Sequence, residues 1–286
     1  MLYTQGAMSE TVIPLKAIAK HVLPRESRIV LRKAYYFGTR HTCTVCGSRV
    51  RKYYPSGFDL PVLRELDVIG GEYRLDDTCP VCWSHCRTRL VRAYLEREVR
   101  LGSRPMSVLH FAPEAGIAEF VRAAPGVTYD PVDLDPSRYV QVPGTRRADV
   151  TAIDRPNDSY DLVICNHVLE HVPDDGLAMR EILRVLKPGV GMAMLQVPLS
   201  ARLDRTIEDP SVSDVAERER RFGQFDHIRL YGADYTDRLA SAGFTVDVVD
   251  PPVAWGQAVV DELGLNPREQ VIAGRKPATG ADTPDL

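Results

Sequence analysis

Between residues 106 and 275, short apolar runs alternate with stretches of helical periodicity, and few architectures accept that rhythm. Strands are expected at 107–112, 127–134, 191–198 and 243–250, with short ones near 147–150 and 270–273. Helices are expected at 115–122, 177–186 and 233–242, and the second of these runs out at Lys187-Pro188-Gly189, a basic last turn followed by breakers. The plainest strand is Leu162-Val163-Ile164-Cys165, a continuous apolar run of the kind buried on both faces of a parallel sheet. Alternation of this kind predicts an α/β fold, a Rossmann-like, doubly wound parallel sheet.

The strand at 162–165 ends in Asn166, His167, Glu170 and His171. In open α/β sheets, ligands bind beyond the carboxyl ends of the strands. His167, Glu170 and His171 are spaced i, i+3, i+4, so a helical turn there would put them on one face. The alternative is an ordinary strand–loop–helix whose polar residues cap and pack. The polar region 200–230 has little periodicity and reads as a lid or binding loop.

The first third of the chain is different. Residues 1–105 hold 18 Lys and Arg against 10 Asp and Glu, whereas the remainder holds 18 against 29. A basic part can meet phosphate, nucleic acid or an anionic substrate, or dock on the acidic remainder. Leu15, Ile18 and Val22, then Ile29, Leu31 and Tyr35, suggest two short amphipathic helices broken near Pro24. Cys43-x2-Cys46 and Cys79-x2-Cys82 form two knuckles with 32 residues between the inner cysteines. Four thiolates presented in pairs make a closed tetrahedral Zn²⁺ site, structural rather than catalytic because no position stays open. The alternative is four buried free thiols. Cys86 is expected on the following helix, 87–101, as a non-ligand, and Arg87 and Arg89 beside the second knuckle are singled out for a role. The expected organisation is a helical segment at 1–40, a ribbon-like unit at 41–86, an α/β domain at 87–276 with a C-terminal antiparallel strand, and a disordered tail at 277–286. With 44% apolar and 26% charged residues, no apolar run of about 18 residues and no signal-peptide order at the N-terminus, a cytoplasmic protein with no membrane partner is expected.

Asp133 closes the second strand, where an acid usually accepts hydrogen bonds from ribose hydroxyls. Asp149 follows the third strand, and Asn166 the fourth. This series, with the segments VLHFAPEAG (108–116), ADVT (148–151), 160–189, GQFDHIRLYGADYTDRLASAGF (223–244) and LPVLRELDVIGGEYR (60–74) between the knuckles, resembles the class I S-adenosylmethionine-dependent methyltransferases. Within them it is similar to a zinc-ribbon subfamily associated with bacterial glycan and secondary-metabolite pathways. The resemblance covers roughly residues 35–275. It implies S-adenosylmethionine as cofactor, with Asp133 on the ribose and Asp149 on the adenine. Phe111, Ala112, Glu114, Gly116, Leu134, Val150 and Asn166 would line the cofactor, and Cys43, Cys46, Cys79 and Cys82 would hold structural Zn²⁺.

The chain departs from the family pattern at the loop after the first strand. Ala112, Glu114 and Gly116 stand where three glycines are usual, Pro113 removes a backbone donor, and His110 replaces an acid. Trp83 stands in a Gly-Ser position, and Val190 breaks Pro-Gly-Gly. The methionyl end of the cofactor must therefore be held differently, with Glu114 available to its amino group. Methyl transfer to a hydroxyl needs a base, whereas a carboxylate acceptor needs none. The candidate bases are His171, His227 and His167, with Asp226; Arg229 and Tyr231 are the candidate substrate contacts. His167, Glu170 and His171 also resemble the Glu-x-x-Glu-His metal ligands of ubiquinone-pathway O-methyltransferases. The expected acceptor is a small molecule or glycan precursor, methylated on oxygen before nitrogen. RNA is the alternative acceptor, disfavoured by net charge and by the lack of an aromatic, basic platform. A non-catalytic binding protein is the other alternative, motivated by the missing glycines.

Overall fold

The computed structural model describes residues 24–278. The helix expected around Leu15, Ile18 and Val22, and residues 279–286 of the expected tail, lie outside the described residues.

Helix α1 (Arg25–Tyr36) leads into an antiparallel pair, β1 (Phe37–Thr42) and β2 (Arg49–Val50), which carries the first cysteine knuckle. Ile29 and Tyr36 pack on the knuckles, whereas Leu31 and Tyr35 of the expected stripe stay mostly exposed. Strand β3 (Tyr54–Ser56) pairs with β5 (Arg74–Thr78), which delivers the second knuckle. Between them the chain makes an arm of α2 (Pro61–Glu65) and β4 (Val68–Ile69).

The α/β part begins with α3 (Cys86–Arg97), β6 (Met106–Phe111), α4 (Ala115–Ala123), β7 (Val127–Asp133), β8 (Arg146–Arg147) and β9 (Leu162–Cys165). Then come α5 (Asp175–Val185), β10 (Met192–Met194) and β11 (Leu199–Ser200). The expected lid is ordered: β12 (Ile207–Glu208), α6 (Val215–Phe222) and β13 (Arg229–Leu230) lie within it. Helix α7 (Tyr235–Ser241), β14 (Thr245–Val249), α8 (Pro251–Trp255), α9 (Gln257–Leu263) and β15 (Val271–Arg275) complete the chain.

Seven strands form one sheet in the order β8-β7-β6-β9-β10-β15-β14. Its ladders are parallel except those of β15, which runs antiparallel to both β10 and β14. This is the expected α/β architecture with an antiparallel strand near the C-terminus. Alternate residues serve two cores. Val108, Leu162, Ile164 and Met194 pack with α3, α4 and α9, whereas Leu109, Val163, Cys165 and Leu195 pack with α5 and α7. Both faces are therefore covered, which explains the continuous apolar runs. Helices α8 and α9 were not read from the sequence, although Asp250 caps Val253 and Pro251 stands at the start of α8.

Register sets the site. Phe111 pairs with Val132 on one side and Cys165 on the other. The segments leaving β6, β7 and β9 thus emerge side by side, and these segments carry residues 112–116, 133–134 and 166–171. The arm and the lid cover this edge. Strand β4 pairs with β11, and Leu63 and Val68 of the arm pack with Phe222 and Leu230 of the lid.

Candidate active site

Under the arm and the lid lies a cavity of about 520 Å³. Gly70, Gly71, Arg74, Asp77 and Arg87 line it from the N-terminal side, and His167, Glu170, His171 and His227 from the sheet edge and lid. His167 has φ of +54°, a left-handed conformation uncommon for a side chain of this size, with its amide donating to Gln196 O at 2.7 Å. Glu170 begins the second residue of a short 3₁₀ turn, Leu169–His171, and is 1% exposed. Neither of its oxygens has a hydrogen-bond partner among the described residues. Its neighbours are His167 Nδ1 at 3.5 Å and His227 Nε2 at 4.0 Å. Burial opposes the Glu170 charge, but the close approach of His167 at 3.5 Å and the charges of His171, His167 and His227 outweigh it and hold the carboxyl down at about 2.

The expected base pair, His171 and His227, is brought together, with ring centroids 4.8 Å apart. His227 is buried and comes from the lid, whose backbone is tied to the turn by Ile228 N donating to Glu170 O at 3.1 Å. Its Nδ1 lies 3.3 Å from the Phe222 carbonyl, which can only accept. Nδ1 therefore carries the proton, and Nε2 presents its lone pair toward Glu170. Burial drives His227 down to about 4, so the ring is neutral near pH 7. His171 is more open, with Nδ1 3.2 Å from Asp226 O and 3.5 Å from its carboxylate. The ligand atoms of Glu170, His171 and His227 lie within 4.8 Å of one another, so the set could hold a cation as well as a proton.

Two expectations are corrected. Arg229 does not line the cavity. It is 1% exposed, and its guanidinium donates to the carbonyls of Leu169, Val172 and Pro173 and to Glu208 Oε2 at 3.0 Å. Every edge of the fork is used to clasp the lid to the turn that bears Glu170. Tyr231 is also buried, its hydroxyl donating to Asp175 Oδ2 at 2.8 Å. Residues 227, 229 and 231 share one phase of a strand, so alternation could not separate these two from His227 in the sequence.

At the next strand ends stand the residues expected to line a cofactor. Asp133 is half-buried at the end of β7, with Oδ1 accepting from Asp135 N at 2.8 Å. Leu134 beside it is 56% exposed, leaving apolar surface next to the carboxylate. Asp149 is exposed, with Oδ1 turned onto Thr151 N at 2.8 Å, and Val150 is buried beneath it. Asn166 is buried, accepts from Gln196 N at 3.2 Å, and leaves its amide nitrogen without an acceptor among the described residues. Phe111 belongs to the core. Ala112 has φ of +48°, so the loop keeps a glycine-like conformation without the glycine. Glu114 is held by fully buried His110, Nε2 to Oε2 3.0 Å, while His110 Nδ1 meets Tyr129 Oη at 2.9 Å. Gly116 packs under the first knuckle, where an added Cβ would come 2.4 Å from Val45 Cγ1.

The four expected cysteines converge. Sγ of Cys43 and Cys82 are 3.7 Å apart, and those of Cys46 and Cys79 are 3.9 Å apart. Zn–S bonds of about 2.3 Å in a tetrahedron place sulfurs about 3.8 Å apart, so the set fits Zn²⁺. The knuckles share one backbone turn, with Gly47 N donating to Cys43 O and Trp83 N to Cys79 O. Gly47 and Trp83 have φ of +66° and +67°, so the tryptophan occupies a glycine-like position. Cys86 is buried in α3, and Cys165 lies in the sheet core. Arg89 is structural: fully buried, stacked on Tyr53, and bonded to the carbonyls of Asp77, Ser84, Leu263 and Gly264.

Sheet order, strand-end acids and covered edge define a class, and comparison agrees: residues 83–249 match the methyltransferase-domain family, to which the chain belongs. A Mycolicibacterium smegmatis protein named "Probable S-adenosylmethionine-dependent methyltransferase" is 27% identical over 170 residues, 59% of this chain and 60% of that protein. The chain thus spans about three-fifths of that curated relative's length. An S-adenosylmethionine-dependent methyltransferase structure from Mesorhizobium loti is 16% identical, covering 67% of this chain and 98% of the other, with a TM-score of 0.45. Sequence reasoning did not place Gly70, Gly71, Arg74 and Glu269 at the cavity. For the first three the available signal was the long gap between the knuckles; nothing in the sequence marked Glu269.

Proposed function

We propose that this protein transfers a methyl group from S-adenosylmethionine to an oxygen, and less readily a nitrogen, of a small metabolite or glycan precursor. The observation that carries the reading is the covered cavity. It sets neutral His227 and Glu170, which has no hydrogen-bond partner among the described residues, at the same sheet edge as Asp133 and Asp149. Asp133 would hold the ribose, with Leu134 and Val150 beside the base and Asp149 at its amino group. The cofactor, when bound, supplies an electrophilic methyl carbon for in-line displacement. The chain's own work is alignment and proton removal. An acceptor hydroxyl in the cavity gives its proton to His227 Nε2, and Glu170 stabilises the imidazolium that forms. The clasp of Arg229 keeps both partners in register, and arm and lid exclude water. Cys43, Cys46, Cys79 and Cys82 would hold one structural Zn²⁺ in a closed site that takes no part in the chemistry.

The test is calorimetric titration with S-adenosylhomocysteine on protein whose zinc has been quantified. One-to-one binding is expected, lost in Asp133→Ala with an unchanged circular dichroism spectrum. No binding by zinc-loaded wild-type protein would overturn the methyltransferase reading.

A further inference from the structure

The altered loop after β6 raises a specific question: what holds the amino-acid end of the cofactor? Pro113 has no backbone donor, and Glu114 is fixed on one side by His110. A carboxylate offers the ammonium a partner but repels the carboxylate beside it. A cation is needed close by, and one is present. Arg87, in the first turn of α3, is half-buried and has no hydrogen-bond or ion-pair partner among the described residues. The arginines around it are committed. Arg89 is bonded to four carbonyls. Arg92 pairs with Glu96, and Arg229 clasps the lid.

Arg87 also stands in the right place. It lines the acceptor cavity with His167 and Glu170, and it lines a second cavity of about 590 Å³ with Glu114, Ala115 and Gly116. Among the described residues only His85 shares both linings with it, and His85 is bonded to Asp77 at 2.5 Å. Arg87 therefore sits at the junction between the loop that must carry the methionyl group and the chamber that must receive the methyl. Its charge reaches Glu114 on one side and His167 on the other. Arg28, Arg32 and Lys33 of α1 also line the second cavity but not the first, and Arg32 lies over the Trp83 ring.

Resting on the methyltransferase reading, we infer that Arg87 and Glu114 form a zwitterion clamp for the cofactor's methionyl group. Arg87 binds its carboxylate and Glu114 its ammonium. The clamp takes over the task of the missing glycine-loop donors, and it makes the helix that follows the zinc knuckles part of the cofactor site. A planar guanidinium suits a carboxylate because it can donate two parallel hydrogen bonds.

The clamp is tested by titrating wild type, Arg87→Gln and Glu114→Gln with two probes. S-adenosylhomocysteine carries the amino-acid group, and 5′-methylthioadenosine lacks it. Arg87→Gln should weaken S-adenosylhomocysteine by roughly 10- to 100-fold, the scale of a hydrogen bond to a charged group, and leave 5′-methylthioadenosine within about twofold. Glu114→Gln should show the same selectivity. Equal weakening of both probes, or no weakening of S-adenosylhomocysteine, would overturn the clamp. A residue serving an anionic acceptor instead gives that last result. Wild-type protein that binds neither probe would refute the cofactor reading itself, a different failure from that of the clamp.

Discussion

Replacing Arg229 by Met separates a structural clasp from a substrate contact. The side chain is buried, and its guanidinium satisfies the carbonyls of Leu169, Val172 and Pro173 while pairing with Glu208. Methionine fills similar space but strands three carbonyls of the turn that presents Glu170. Hydrogen bonds from a charged donor contribute about 1.5–3 kcal/mol each, and breaking a buried charged network typically costs about 3–5 kcal/mol in total. Two features keep the loss at that level: Glu208 is partly exposed and can be hydrated, and Asp175 retains Arg238 at 2.6 Å. The expected effect is therefore about 3–5 kcal/mol, a large share of the roughly 5–15 kcal/mol that holds a domain together. Urea unfolding followed by circular dichroism measures it. A loss below about 1 kcal/mol, within the range of an ordinary surface substitution, would refute the clasp and return Arg229 to the list of substrate contacts.

Three further outcomes are expected. Elemental analysis should find one zinc per chain, and Cys79→Ser should lose it together with protease resistance in residues 43–86; full resistance without metal would exclude a structural role. Gly116→Ala should cost about 1–3 kcal/mol because its Cβ would meet Val45 Cγ1 at 2.4 Å, and Val45→Ala should restore most of it; no rescue would place the strain elsewhere. Burial above all, with the charge of Glu72, raises Glu269 from 4.5 to about 7. The folded chain then keeps a proton that the unfolded chain has released, so this contribution to stability is full below pH 4.5 and is lost as pH rises to about 7. The loss is about 3 kcal/mol, and Glu269→Gln should flatten that part of a pH series of urea melts.

The sheet was legible because its strands are buried on both faces, and burial writes itself into Leu162–Cys165 as an unbroken apolar run. The strand-end acids and the four cysteines were legible because each sits at a position where topology or spacing leaves little choice. Lid and arm were not. Most contacts of Arg229 and that of Tyr231 join segments more than 50 residues apart, such as Arg229 with Leu169 and Tyr231 with Asp175. No local period marks which polar residue turns inward there. Residues 215–222 look like a solvated charged stretch, yet they form α6, whose last residue, Phe222, is buried against Leu63. Arg87 and Arg89 are two residues apart and were indistinguishable in sequence; helical phase sends one into the core and leaves the other facing both cavities.

The 32 residues between the knuckles give the proposed zinc site a consequence beyond local stability. The arm at 56–74 is strung between two turns that the cysteines pin, and it reaches the lid through β4 and β11 and through Leu63 under Phe222. Its Gly70 and Gly71 roof the covered cavity, and Glu72 ties their amides at 2.8 and 3.1 Å. On the other side of the second knuckle, α3 carries Arg87 to the junction of the two cavities, and Val45 of the first knuckle presses on Gly116. With Zn²⁺ bound as proposed, the four cysteines would fix the cavity roof, the start of α3 and the loop after β6 from one point. A metal that touches no substrate would then still govern binding of both, and its removal should weaken S-adenosylhomocysteine even while the seven-stranded sheet, whose two cores lie below, stays folded.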